Sequence, residues 1–245
     1  MANEIVKYSN DFHTAALSKL PPADAKVFFV IIQKLKEKGG QEVVFTWKEL
    51  QHLAGLTGDR HSVRFADRLK NILTTIGSLV IWHTHEDGFS GFTLFQEFDV
   101  VFSEQTLKVQ ISPSFEYALN NLNANFVLWE LPQFLGLRSK YAQALFRHLK
   151  QFRSTGFWTV GIDEFRRLLD VPKSYRITNI TTQVITPAIS ELSPFFRSLS
   201  WHYEKKRGAG AKGGRGGTVD RVVFSFQTSL ELDRSEPDVL QIEGT

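Results

Sequence analysis

The chain has 245 residues, 42% of them hydrophobic and 13% aromatic, which is enough for two domains of about 110–120 residues, each with its own core. It has no cysteine, so disulfides, thiolate zinc sites and thiol nucleophiles are excluded. No run approaches the roughly 18–20 apolar residues of a membrane span, and the opening MANEIVKYSN carries no apolar signal core, so a cytoplasmic protein with no membrane partner is expected.

After an arm over 1–10, Phe12, Ala15, Ala16 and Leu17 have the spacing of a helical turn, which Pro21 and Pro22 stop. Proline in a first turn, with Asp24 near the positive helix end, starts a helix over about 22–38. It buries Val27, Phe28, Ile31, Ile32 and Leu35 and ends at Gly39-Gly40. A strand over 43–46 follows, then a helix over 47–53 carrying Trp47, Leu50 and Leu53, closed by Ala54-Gly55. A third helix, over about 60–76, has Phe65, Leu69, Ile72, Leu73 and Ile76 as its buried stripe. Arg60, Arg64 and Arg68 repeat every fourth residue on another face, either a solvated row or, because this is where a recognition helix falls, DNA contacts.

Strands are predicted over 79–85, 92–102 and 107–112, with a turn at Asp87-Gly88. Alternation of Phe92, Leu94, Phe98 and Val100 gives the middle strand one covered face. Pro113 begins a short helical piece, and 120–136 is read as connector because Leu131-Pro132 and Gly136 break regular structure. A long helix over 139–153 then buries Tyr141, Ala142, Leu145, Phe146, Leu149 and Phe152.

The stretch 158–226 has the order of a complete winged helix. A strand over 158–160 leads to a helix over 162–169 with Phe165, Leu168 and Leu169 inward, and 170–177, with Pro172, forms a turn. The next helix, about 178–192, has Val184, Ile185, Ala188, Ile189 and Leu192 as its apolar stripe, leaving Asn179, Thr182, Gln183 and Thr186 outward. Small amides and hydroxyls on an exposed helix can bond base edges. Lys173, Ser174, Tyr175 and Arg176 in the turn, and Thr178 at the helix start, are further candidate DNA contacts. Leu199, Trp201 and Tyr203 mark a strand, and Val219, Val222, Phe224 and Phe226 its return partner. Between them GAGAKGGRGG is flexible by composition, and Lys205, Lys206, Arg207, Lys212 and Arg215 make it a basic wing without an acid.

Charge is unevenly divided. Residues 1–136 hold 12 Lys/Arg against 15 Asp/Glu, residues 137–228 hold 16 against 6, and residues 229–245 hold 1 against 5. A segment of net +10 attracts polyphosphate through counterion release. The first half also repeats in the second: LKEKGGQEVVFTWKELQHLAGL from Leu35 lies over LKQFRSTGFWTVGIDEFRRLLDV from Leu149, at an offset of 114 that becomes 115 at Leu50 and Phe165. The expected fold is therefore α+β, two tandem winged-helix domains related by an internal pseudo-repeat. Residues 1–136 form the first, 137–228 the second and main DNA-binding one, and 229–245 an acidic, disordered tail.

Enzymatic alternatives are weak. His83-Thr84-His85 with Glu86 and Asp87 has the paired histidines of a metal-dependent nicking site. However, Thr84 replaces the bulky apolar residue such sites usually carry, and neither Tyr117 nor Tyr141 supplies a suitable nucleophile. GAKGGRGG lacks the Ser or Thr and the strand-to-helix context of a nucleotide loop. No cofactor, metal or enzymatic activity is expected.

The run SKYAQALFRHLKQFRSTGFWTVGIDEFRRLLDVPKSYRITNITTQVITPAISEL resembles the second winged helix of the iteron-binding plasmid replication initiators. It carries their aromatic-rich helix end, the W-T-V strand, the EFRRLL helix, the Tyr175-Arg176 turn and a proline, Pro187, inside the next helix. LSKLPPADAKVFFVIIQKL resembles the start of their first winged helix, and the resemblance spans about 5–228. It implies a protein that binds direct repeats of double-stranded DNA at a plasmid origin, opens the adjacent duplex and recruits the host initiator and helicase. It also implies a homodimer, in equilibrium with monomer and paired through the first winged helix, that represses its own promoter. The long glycine-rich wing departs from the family pattern. The alternative is a winged-helix transcriptional repressor without initiator activity.

Overall fold

The structure, a computed structural model, describes residues 17–38, 41–56, 62–77, 80–85, 87–116, 131–206 and 218–227. The chain divides into two compact units, 1–144 and 145–245. The division falls eight residues beyond the boundary expected at 136, inside the helix α5 described below.

In the first unit a short 3-10 turn (Leu17–Lys19) precedes α1 (Pro22–Lys38). Pro22 opens α1, where a missing N–H is not needed, and Asp24 lies in its first turn. The buried face is broader than the predicted stripe: Val27 to Ile32 are all buried, Phe29 and Val30 included. Phe29 has a partner because Phe134, 4.7 Å away edge-on, lies on a helix, α4 (Leu131–Gly136). This corrects the reading of 120–136 as connector: Pro132 sits in the first turn of α4, where helices accept proline, and Gly136 is at its end.

Strand β1 (Val43–Thr46) leads into α2 (Trp47–Leu53), whose first turn is capped by Thr46 accepting from the Glu49 amide at 3.2 Å. Helix α3 (Ser62–Gly77) follows, with Phe65, Leu69, Ile72, Leu73 and Ile76 buried as predicted. Next come β2 (Val80–His85), β3 (Gly88–Thr93), β4 (Phe95–Val101) and β5 (Thr106–Ile111). The single strand predicted over 92–102 is two. Its first part pairs with β2 in a separate hairpin and its second with β5 in a sheet of order β1-β5-β4. The break is at Leu94, which is fully buried, while Ser112 Oγ donates to the Thr93 carbonyl at 2.6 Å and the Ser112 amide to the Leu94 carbonyl at 2.9 Å. The predicted alternation fails with it, and Phe98, on an edge strand, is 45% exposed.

Helix α5 (Lys140–Gln151) carries a buried run from Ala142 to Leu149, three of whose members, Gln143, Arg147 and His148, are polar. Gln143 Nε2 donates to the carbonyls of Pro22 at 3.2 Å and Leu137 at 3.3 Å, which ties the first turns of α5 into the first unit and moves the division past 136. His148 stacks flat on Trp158 at 4.5 Å, and burial lowers the Arg147 guanidinium to a pKa of about 9.

The second unit continues with β6 (Phe157–Gly161), α6 (Ile162–Leu168), α7 (Ile177–Asn179), a π-helical turn (Ile180–Ile185), α8 (Thr186–Leu192), β7 (Ser200–Lys205) and β8 (Val219–Ser225). Its sheet has the order β6-β8-β7, with Trp201 opposite Phe224 and Tyr203 opposite Val222. Trp158, Phe165 and Phe224 form an aromatic core, their centroids 5.5–6.4 Å apart. The two sheets share one plan, the first strand pairing with the last and the last with the penultimate, so the repeat seen in sequence is a repeat of topology. The first copy differs by the β2-β3 hairpin between α3 and β4.

Candidate nucleic-acid interface

Helix α6 buries Phe165 and Leu168 and carries acids in its first turn and arginines in its last, the arrangement its dipole favours. It ends at Asp170, whose φ of 51° is left-handed, a conformation Asp tolerates. The Val171 amide then donates back to the Arg166 carbonyl at 2.9 Å. Arg166 Nη2 donates to the Tyr175 carbonyl at 2.7 Å, which fastens the turn to the helix before it. Lys173, Ser174 and Arg176 are exposed along that turn, and Tyr175 is half-buried.

From Ile177 to Leu192 the backbone stays helical through α7, the π turn and α8, without a break. The π turn answers Pro187, near the start of α8. The Thr186 amide reaches back five residues to the Thr181 carbonyl, and the chain returns to α geometry where proline, having no N–H, makes no demand. Ile180, Val184, Ile185, Ala188 and Leu192 are fully buried, whereas Ile189 is only partly so.

Thr178, Thr182, Gln183 and Thr186 are exposed on this helix, and Asn179 is half-buried. Two of the residues predicted to face outward have local work. Asn179 Oδ1 accepts from the Arg176 amide at 3.0 Å and caps the helix start, and Thr182 Oγ1 donates to the Thr178 carbonyl at 3.0 Å. Gln183 and Thr186, the other two, are exposed. Thr181, one position from the predicted face, donates to the Ile177 carbonyl at 3.0 Å and bonds the Tyr203 hydroxyl of β7 at 3.0 Å. Burial raises the Tyr203 phenol above its usual 10.0, outweighing the Arg166 charge, which pulls it down. Arg166, Thr181 and Tyr203 were not predicted. Tyr203 was read as an apolar strand position, and its polar tip was the available signal.

The wing strands bring Lys205 and Lys206 together, both exposed, and the Lys206 amide donates to the Thr218 carbonyl at 3.0 Å. Asp220 lies 3.6 Å from Lys206 Nζ and 3.5 Å from Arg221 Nε, beside an open hollow of about 350 Å³ lined also by Thr159 and Gly161. Arg207, Lys212 and Arg215 lie outside the described residues.

In the first unit Arg64 is exposed, but Arg68 does not continue its row. Its guanidinium Nη1 is 2.5 Å from the buried carboxylate of Asp24, which also accepts from Asn71 at 2.7 Å, so Arg68 ties α3 to α1. The fourfold spacing put Arg68 beside Arg64, whereas the side of α3 it occupies is set by α1. Arg60 lies outside the described residues, as do the side chains of His83 and His85 on β2. Among the described residues no group of three or more His, Asp or Glu side chains could hold a metal, and no helix is long and apolar enough to cross a membrane.

Residues 5–150 match the family model for the initiator replication protein first winged helix (WH1), and residues 161–226 that for the initiator Rep protein second winged helix (WH2). The chain belongs to the replication initiator (Rep) family. A probable replication protein rep of Bifidobacterium longum (strain NCC 2705) is 35% identical to it over 215 residues, 86% of this chain and 72% of that protein. Among solved structures, the Pi initiator protein in complex with iteron DNA aligns over 90% of this chain and 96% of its own, with a TM-score of 0.61 at 15% identity. Domains 2 and 3 of RctB align over 84% and 82%, with a TM-score of 0.53 at 10% identity. The fold of this Rep protein is accordingly α+β, two winged-helix domains in tandem, as the pseudo-repeat predicted.

Proposed function

We propose that this Rep protein initiates replication by binding direct repeats at an origin, reading bases with the helix from Ile177 to Leu192 and gripping phosphates with the turn and wing. The observation that carries this is a buried-backed helix whose exposed side chains over 178–186, Thr178, Thr182, Gln183 and Thr186, are all uncharged hydrogen-bonding groups, flanked by exposed Lys173, Arg176, Lys205 and Lys206. Neutral groups suit base edges, and lysines suit backbone phosphates. The repeats bound by the Pi initiator, which shares the fold, support the same class of site.

Family membership supports the rest of the proposal. Binding opens the adjacent duplex, recruits the host initiator and helicase in the cytoplasm, and as a dimer represses the protein's own promoter, with exposed Arg64 an auxiliary contact of the first winged helix. The protein works by binding and deforming DNA, with no covalent step. The test is footprinting on the DNA flanking its own gene. Protection recurring about every 20 base pairs, two turns of one duplex face, is expected. A single protected operator, with no origin activity of that DNA in a host, would favour a repressor instead.

A further inference from the structure

We propose that Tyr203 is a positioning residue for base readout: from the wing strand β7 its hydroxyl holds Thr181, and through Thr181 the π turn of the recognition helix. This rests on the assignment of that helix to DNA reading.

The helix is weak by its own chemistry where it must be firm. Residues Ile177–Asn179 make less than one α turn, a π turn, a rare geometry, follows, and Pro187 removes an amide donor from the ladder. Base readout needs side chains held to about 0.5 Å. Two polar ties from outside the helix compensate. Arg166 of α6 holds the Tyr175 carbonyl ahead of it, and Tyr203 holds Thr181 inside the π turn. Thr181 has one hydroxyl hydrogen, which goes to the Ile177 carbonyl, so Tyr203 is the donor of the 3.0 Å bond between them. The phenol is itself set in place: its ring meets Trp201 edge-on at 5.2 Å, and its backbone pairs with Val222. Two residues further along the same strand lies Lys205. The strand that bears the wing's charges therefore fixes Thr182 and Gln183, the neighbours of Thr181.

The test uses the full chain with Tyr203→Phe, Thr181→Val and the double variant. Each is titrated at one salt concentration against a duplex holding the repeat that flanks the gene, the same duplex with single base pairs changed, and a random duplex. The preference for the intact repeat is expected to fall about three- to ten-fold in each single variant, the range one hydrogen bond spans. Affinity for random DNA should stay within about two-fold. Adding Tyr203→Phe to Thr181→Val should change nothing further, because one bond serves both. Amide exchange from Thr178 to Val184 should quicken in Tyr203→Phe, a change of one oxygen that decides the matter even if Thr181→Val does not fold. Unchanged preference, or equal loss on repeat and random DNA, overturns the inference alone. A wild-type protein with no preference for the repeat overturns the assignment of the helix, and the inference with it.

Discussion

Asp24 and Glu164 each accept from an arginine, and their surroundings decide what each pair contributes. Asp24 is buried and serves both Arg68 and Asn71, so Asp24→Ala takes from both the carboxylate they share. A loss of about 2–4 kcal/mol is expected in denaturant unfolding. Glu164 and Arg167 are both 46% exposed, and Glu164→Ala should cost no more than about 1 kcal/mol despite bonds of 2.6 and 2.7 Å. Tyr203 adds a dependence on pH. Its folded pKa lies above the unfolded value of 10.0, so its contribution is fully present below pH 10 and is lost as pH rises through the folded value, where the unfolded chain ionises first. As pH rises above 10 the wild type should therefore lose more stability than Tyr203→Phe, as paired urea melts would show. The acidity of Asp24 near a helix start was legible in the sequence, but its partners, 44 and 47 residues away, were not.

Within the second unit, the recognition helix and the wing should separate in their effects. Gln183→Ala or Thr186→Ala should change which base is preferred at one position by about 1–3 kcal/mol, read from Kd values on a set of single-substitution repeats. Serine at Lys173, Lys205 and Lys206 together should weaken repeat and random DNA by a similar factor, each lost phosphate contact lowering the log–log salt slope by about 0.9. The buried side of the same unit is aromatic. Phe165→Ala should cost about 3–5 kcal/mol, because it opens a cavity between Trp158 and Phe224. Apolar spacing revealed this helix and its stripe in the sequence. The π turn was not visible, since Pro187 could as well have kinked or ended the helix.

At the scale of the molecule, charge predicts where affinity lies. A fragment covering 137–228, with 16 Lys/Arg against 6 Asp/Glu, should bind repeat DNA with a steeper salt dependence than 1–136, with 12 against 15. The fold qualifies how such fragments should be cut. Gln143 donates to Pro22 and Leu137, and Ala142 and Ala144 are fully buried, so residues 1–151 should melt about 5 °C higher than 1–136 in a calorimeter. Equal melting temperatures would mean that α5 adds nothing to the first unit.

The sequence by itself determined most of the elements, the tandem repeat and the basic block, because apolar period, proline and glycine placement and charge are local quantities. Leu50 and Phe165, aligned across the two copies at an offset of 115, are both fully buried. Only the tertiary structure decided which of those local signals prevailed. Leu131-Pro132 reads as a breaker until Phe134 is needed against Phe29, and the strand over 92–102 reads as continuous until Ser112 bonds Thr93 and Leu94 is pulled inward. Tyr203 reads as core until its hydroxyl finds Thr181, 22 residues away in the chain. In each case the deciding partner is distant in sequence, and no periodicity within the segment encodes it.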